Sequence, residues 1–513
     1  MRWDPRHQAW IPVLTLDGES GRTDLAKVSA VRALRDADRI AAVYGRTPGE
    51  TVAVVEWLLG VLYAAGCHPE TYGQWLALVE EREPLTRAAD RLAGHEGVWD
   101  LFDAERPLGQ NAALLRHLDA FGAGPAQLVI EQAGDYNQHF DHRHLHHAAP
   151  LPADAAWRAV LTQHAFGQGR RARIQAKEMG LPAPFTNLST CRLGARIRVL
   201  ALGPTLGDTL RLNLAPWDGE TAGTLNLTWG DHPLRREFRR TGAHEARRID
   251  GPADLHTVLG RSVALRPVVM EDGEPGVDRV LVGPGDTLVP LPDVYRQDEV
   301  LVMRAGKPVT LKPQASRELW RESHALYAAI AERVKGNDLY GRLAMLRGLR
   351  PELWAVGLLA DKGQPIAWVD DRFPYVPGRE AGLRHASEQG SAVAEYAATA
   401  LRAAATTACE HAYPGAKATG RAAGFTGERT MWAGAGEEFH ALLDAVADGH
   451  PVAEALALFG ARIRALATAA LKADLDGLPA AGRGLKAHTL AAKRLQDVLD
   501  HPDAPKPLKE TTP

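Results

Sequence analysis

Cysteine is scarce in this chain. Cys67, Cys191 and Cys409 stand far apart among 513 residues and form no C-x-x-C pair, which argues against a thiolate-held zinc and for a reducing compartment. Long apolar runs are also missing. The most apolar window, Val52 to Ala65, contains Glu56 and Trp57 and stops at Gly66, too short to span a bilayer. Met1-Arg2-Trp3-Asp4-Pro5-Arg6 leads into no stretch of signal-peptide type, so a cytoplasmic protein with no membrane partner is expected. Charge of one sign is not in excess. Sixty Lys+Arg against 63 Asp+Glu leave a net charge of −3, which excludes a chain that coats nucleic acid over its whole surface but permits a local basic face. Common catalytic signatures are absent too: there is no G-x-x-x-x-G-K-[ST], no G-x-S-x-G and no H-E-x-x-H. Pro292-Asp293 and Asp298-Glu299 resemble a nuclease acidic pair, but no suitably spaced lysine completes it.

What is present is the composition of a globular chain, 45% apolar and 24% charged, too long for a single core. A short opening strand, Trp10-Ile11-Pro12-Val13-Leu14, precedes helical segments at Val52–Ala65 and Ala112–Phe121 and a helix starting near Asp154. From about Arg192 to Trp368, alternation at Arg196–Val199 and Thr209–Leu214 predicts strands, interrupted by helices over Ser316–Val334 and Asp338–Leu349. Beyond Pro374 the chain becomes Ala-rich and breaks into four helical stretches. The third of these carries Val452, Leu456, Phe459, Ile463 and Leu466 on one face. The expected fold is α+β: a large mixed N-terminal domain, residues 1–373, followed by an all-α four-helix bundle, residues 374–513.

Three features bear on chemistry. The run Asp135-Tyr136-Asn137-Gln138-His139-Phe140-Asp141-His142-Arg143-His144-Leu145-His146-His147 holds five histidines and two aspartates. It reads as a polar surface loop, as a metal site, or as a nucleic-acid loop whose Asn, Gln, His and Tyr reach base edges. Basic residues concentrate at Arg170, Arg171, Arg173, Lys177, Arg192, Arg196 and Arg198, and again at Arg235, Arg236, Arg239, Arg240, Arg247 and Arg248. A solvated face accounts for such runs, but two of them on a near-neutral chain suggest phosphate binding. Finally, Glu352–Ala360 and Pro365–Val369 read as two strands joined at Asp361-Lys362-Gly363-Gln364, a narrow polar tip on a rigid scaffold.

Taken in order, these stretches resemble the CasA family, the large subunits of the type I-E CRISPR surveillance complex (Cascade). The resemblance is carried by Trp10–Val13, by Leu101-Phe102-Asp103-Ala104-Glu105-Arg106-Pro107-Leu108-Gly109-Gln110, by Phe140-Asp141-His142 and by Thr209–Leu214. Gly251–Leu255, Leu319-Trp320-Arg321, the Gly363-Gln364 hairpin and the terminal helices continue it. The resemblance implies a non-enzymatic subunit, without cofactor or metal, that recognises the protospacer-adjacent motif in double-stranded target DNA while guide RNA reads the sequence. Tyr136, Asn137, Gln138, His139 and Phe140 then lie in a recognition loop. Gly167, Gln168 and Gly169 form a glycine loop at the minor groove, and Lys362, Gly363 and Gln364 a wedge that starts strand separation. DNA-backbone contacts are expected from Arg170, Arg171, Arg173, Lys177, Arg304, Lys307, Arg462, Lys486, Lys493 and Arg494. Implied partners are the CRISPR RNA, the small subunit, the backbone subunit, the subunit binding the guide 5′ end, and a helicase-nuclease. Three departures stand out, the first being that Lys362 and Gly363 stand where other members often place Asn or Gln. The cysteine-rich zinc element of some members is missing, and the glycine loop is short, passing directly into Arg170-Arg171-Ala172-Arg173. The alternative reading is a metal-dependent hydrolase built on the His139–His147 cluster.

Overall fold

The computed structural model describes all residues except 17–22, 133–148, 172–176, 182–185, 233–245, 305–306, 315–318, 332–338, 414–421, 423, 480–481 and 510–513. The chain divides into two compact units: Met1–Arg317 with Arg333–Arg372, and Glu318–Glu332 with Phe373–Pro513. Among the described residues no helix is long and apolar enough to cross a membrane.

In the first unit, β1 (Ile11–Leu16) lies between β2 (Thr23–Val28) and β3 (Ile40–Val43), antiparallel to both. Helix α1 (Pro48–Ala64) follows. Its N-cap Thr47 accepts the Glu50 N–H at 3.2 Å, and Pro48 occupies the first turn, where a missing N–H costs nothing. Every residue from Val52 to Tyr63 on α1 is buried, as befits a helix apolar on all faces. Its Trp57 meets Trp10 edge-on at 5.5 Å, and Trp99 and Trp157 each at 6.2 Å. Such pairs add about 0.5–1.5 kcal/mol each beyond the area they bury. Trp157 belongs to α2 (Ala153–Phe166), which starts behind Pro152 and packs on α1.

Two further sheets matter to function. β4 (Leu151–Pro152) joins the long hairpin β8 (Arg261–Val269) and β9 (Pro275–Pro284), in the order β4-β9-β8. β7 (Arg198–Leu202) pairs with β12 (Glu352–Asp361), which pairs in turn with β13 (Gln364–Pro374). Two two-stranded ribbons are also present among the described residues: β5 (Arg170–Arg171) with β6 (Asn187–Leu188), and β10 (Leu301–Arg304) with β11 (Lys307–Thr310).

The alternation at Thr209–Leu214 does not make a strand. The segment is helix α3 (Leu206–Asn213). Thr205 Oγ1 accepts the Asp208 N–H at 3.1 Å and nucleates the first turn. The helix is buried on every side, so a polar side chain is no sign of an outward face. Arg211 is fully buried and reaches Asp38 at 2.7 Å, and the Asn213 amide bonds the Ala201 N–H and C=O at 3.1 and 2.7 Å. Elsewhere elements run shorter than periodicity predicts. Ala112–Phe121 is a 3₁₀ stretch, Ala112–His117, followed by one α-turn, and the helix expected over Asp338–Leu349 spans Leu339–Leu343. Helix α4 (Pro252–Thr257) packs against α1.

The second unit contains α5 (Ser323–Ala331), α6 (Glu380–Ala412), α7 (Gly427–Asp448), α8 (Val452–Asp476) and α9 (Arg483–Leu499). The last four form a bundle in which α6 packs along the other three. Leu456, Phe459 and Ile463 are buried, as their spacing requires. Gly449, at φ +104°, ends α7 in the left-handed conformation, and Pro451 opens α8. The segment Glu318–Glu332 belongs to this helical unit although it precedes Pro374. Trp320 packs on Phe439 at 4.7 Å and on Trp432 at 5.7 Å, Ser323 Oγ meets Ser387 Oγ at 2.6 Å, and the Tyr327 hydroxyl donates to the Pro374 carbonyl at 2.7 Å.

Candidate nucleic-acid interface

The β12–β13 hairpin turns on Lys362 and Gly363, at φ +48° and +79°. Two successive positive φ angles are what a tight two-residue hairpin turn requires. The tip rests on the glycine turn that follows α2. A Cβ on Gly363 would lie 2.2 Å from the Gly169 carbonyl oxygen and 3.1 Å from Arg170 Cβ, so only glycine permits this approach. Lys362 is exposed at the tip. Gln364 Oε1, by contrast, is buried and accepts no hydrogen bond from the described residues. The hairpin is braced by Trp354, whose indole N–H donates to Asp370 at 2.9 Å beneath the Arg372 guanidinium, and by Trp368, which packs edge-on against Phe166 at 4.9 Å.

The glycine turn is held from behind. Arg261, on β8, is buried and donates to the carbonyls of Gln168, Ser189 and Gly260 at 2.8, 2.7 and 2.9 Å. A Cβ on Gly167 would lie 2.5 Å from that guanidinium. The Cys191 N–H donates to the Gly167 carbonyl at 2.8 Å. Gln168 turns inward, its amide donating to Phe166 and Gly194 carbonyls at 3.0 and 2.7 Å. Gly167 is itself buried, so the part of this turn left half-exposed is Gln168 and Gly169. Arg170 follows on β5 and is half-buried; burial and the neighbouring Arg261 charge hold its guanidinium pKa below the ordinary value. Arg171 and Lys177 are exposed.

The fold thus brings together two features that lie far apart in sequence, the tip 362–364 and the turn 167–169, with Arg170 beside them. Lys307 is exposed on β11. In the second unit, Arg462 on α8 pairs with Glu438 at 2.5 Å, whereas Lys486, Lys493 and Arg494 are exposed on α9. Tyr136, Asn137, Gln138, His139, Phe140 and the rest of the His-rich run lie outside the described residues, as do Arg173, the Arg304 side chain and Arg235–Arg240.

Part of the basic run is not a surface. Arg192, Arg196 and Arg198 are buried in ion pairs. Glu56 takes Arg192 and, at 2.7 Å, Arg198. Asp298 takes Arg196 at 2.6 Å and Arg198 at 3.1 Å. This pairing also removes Asp298 from any nuclease-like acidic pair: the surrounding arginines hold its carboxyl far below the usual carboxylate range despite burial. Arg247 likewise is buried rather than solvated, between Asp254 and Asp286. Among the described residues, His232, Asp250 and Asp254 stand close enough together to hold a metal. Arg247 sits at that cluster, donating to both Asp254 oxygens at 2.7 Å with Nη1 3.2 Å from His232 Nε2, so both oxygens of one candidate ligand are already engaged by a cation. Sequence reasoning missed Arg261, which sits on an unremarkable strand and carries no local motif. It also gave no role to Gln110, whose buried amide donates to the Leu101 carbonyl at 2.6 Å and accepts the Leu265 N–H at 2.8 Å.

A model of the CRISPR-associated protein Cse1 family matches residues 7–470. Solved structures similar to this chain include CasA (Cse1) of Thermus thermophilus, at 21% identity and a TM-score of 0.76 over 97% of this chain and 99% of that one. Cse1 of Thermobifida fusca is similar at 20% identity and a TM-score of 0.70, over 97% and 98%. A chain of a CRISPR RNA-guided surveillance complex is similar at 17% identity and a TM-score of 0.69, over 96% and 99%. A search of curated proteins returns no match.

Proposed function

The chain belongs to the CRISPR-associated Cse1 family, and on that premise we propose that it is the large subunit of a type I-E Cascade complex, a DNA-recognition subunit with no reaction of its own. It reads the protospacer-adjacent motif in double-stranded target DNA, opens the duplex for pairing with the CRISPR RNA, and helps recruit the helicase-nuclease. Its neighbours are the small subunit, the backbone subunit and the subunit at the guide 5′ end.

The observation that carries this reading is the seat of the hairpin tip on the glycine turn. Gly169, half-exposed and without a side chain, suits close approach to the minor groove, where the code is degenerate and several related motifs are tolerated. Among the described residues Gln364 leaves a buried, unpaired carbonyl oxygen, an arrangement costing about 1–3 kcal/mol. Leaving that seat for the edge of an opened base relieves the cost and offsets part of the few kcal/mol needed to unstack a step. Arg170, Arg171 and Lys177 supply phosphate contacts beside the tip, with Arg173, Arg304 and Lys307 as further candidates. Arg462, Lys486, Lys493 and Arg494 hold the displaced strand without reading its bases. Tyr136, Asn137, Gln138, His139 and Phe140 complete motif recognition.

In the assembled complex, Gln364→Ala impairs strand opening on duplex target and spares binding to the single-stranded complement; equal weakening on both substrates rejects the wedge. Charge reversal at Arg170 and Arg171 lowers the salt-dependence slope by about one unit per lost phosphate contact, whatever the flanking motif. Replacing Asn137 and Gln138 with Ala abolishes motif discrimination without changing metal content.

A further inference from the structure

A second feature of the first unit is unrelated to the hairpin. A cavity of about 50 Å³ that reaches solvent is lined by Tyr63, Arg192, Arg198, Trp217, His256 and Tyr295, among others. Its charge is unbalanced. Four buried guanidiniums, Arg192, Arg196, Arg198 and the lining Arg342, stand against two carboxylates, Glu56 and Asp298. His256 does not redress this, since burial and the arginines keep its imidazole neutral while its Nδ1 lies 2.9 Å from Glu56.

Arg192 is the informative member. Its side chain is 7% exposed and pairs with Glu56 alone. Among the described residues it makes no other hydrogen bond, although a guanidinium carries five N–H donors. Burial beside Arg196 and Arg198 pulls its pKa well below the ordinary arginine value, the mark of a cation short of negative charge. The polar wall continues with Asn213 and with Gln297, whose side-chain oxygen accepts from Arg342 at 2.6 Å. The apolar wall is the stacked pair Trp217 and Tyr295, 5.6 Å apart.

We propose that this cavity binds an oxyanion of the phosphate class, held by the free donors of Arg192 and by Arg198. A planar guanidinium fork matches a tetrahedral oxyanion, and one dianion turns the local excess of positive charge into a closed network. The ion is either free phosphate or the terminal phosphate of a nucleotide.

Equilibrium dialysis of the full chain against labelled inorganic phosphate tests this. The expected result is a single saturable class of site. Displacement of the label by a nucleoside monophosphate assigns the site to nucleotides; displacement only by phosphate and sulfate assigns it to the free ion. Arg192→Gln weakens binding by about tenfold or more, as losing one charge-assisted contact of about 1.4 kcal/mol requires. Because Arg192 is buried and that variant can fail to fold, Val294→Glu is the second arm. Val294 lines the cavity yet is 40% exposed, so a carboxylate there competes with the ion without disturbing the core. Non-saturable uptake by the wild-type chain, or unchanged phosphate binding in a folded Val294→Glu variant, overturns the proposal.

Discussion

Glu56 is the residue on which the buried charge network of the first unit depends, and Glu56→Gln measures how much. The side chain sits in the middle of α1, 1% exposed, and serves Arg192, Arg198 and His256 together. Glutamine has nearly the same shape, so no cavity opens and the loss is electrostatic. Arg198 keeps Asp298 at 3.1 Å, but Asp298 is already shared with Arg196 at 2.6 Å, and Arg192 loses its carboxylate altogether. Removing one partner of a buried ion pair costs about 3–5 kcal/mol, because the other charge stays buried and uncompensated. At about 2 °C per kcal/mol for a large unit, the melting temperature falls by about 6–10 °C. Urea unfolding followed by tryptophan fluorescence gives the free energy directly, with an unchanged m-value confirming that the native state is intact. The double variant Glu56→Gln/Arg192→Met, which removes the orphaned cation as well, recovers part of the loss. A single variant within about 1 kcal/mol of wild type, or a double variant that recovers nothing, refutes the account.

Three further outcomes are expected. Gly363→Ala adds a Cβ 2.2 Å from the Gly169 carbonyl oxygen at φ +79°; it forces the tip off the glycine turn and costs about 1–3 kcal/mol, read as increased amide-hydrogen exchange at residues 167–170 and 361–365. His256 is held neutral, its pKa depressed below the ordinary 6.5 by burial and by Arg192 and Arg198, with Glu56 on its other side; its contribution is complete above pH 6.5 and is lost as the pH falls toward the depressed value. Between pH 6.5 and 5.5 that amounts to at most about 1.4 kcal/mol, so melting curves of wild type should fall more steeply with acidification than those of His256→Gln. Truncation after Arg372 removes the cover of Trp320, Leu326 and Tyr327, all buried in the helical unit; the shortened chain aggregates, as light scattering would show, and a monodisperse product contradicts the assignment of Glu318–Glu332 to that unit.

Local chemistry made some of this legible. The hairpin turn could be read from Asp361-Lys362-Gly363-Gln364 because left-handed φ angles select residues one by one. The bundle could be read because Leu456, Phe459 and Ile463 repeat with the helix period over a long segment. The seat of Gly363 on Gly169 could not, since neither glycine carries a mark of its partner. Counting basic residues misjudged Arg192, Arg196 and Arg198, because charge in a sequence says nothing about depth. The missed clue was Glu56: a lone carboxylate inside the most apolar helix requires a buried cation. Thr209–Leu214 misled for a related reason, as a helix buried on all sides shows no periodicity to tell it from a strand.

The division of the chain has a consequence for the order in which it can fold during synthesis. The path passes from one unit to the other at residues 317–318, 332–333 and 372–373. β7 leaves the ribosome long before β12, the strand it pairs with, so one of the sheets of the first unit, β13-β12-β7, waits for residues 352–356. Before that strand arrives, α5 has already emerged, and its partner Ser387 on α6 has not. The first unit can therefore close once Arg372 is made, whereas Trp320 of the second waits for Trp432 and Phe439. Such delayed long-range closure slows folding and leaves sticky surface uncovered, first at β7 until residues 352–356 are made and then at Trp320 until residues 432–439 follow.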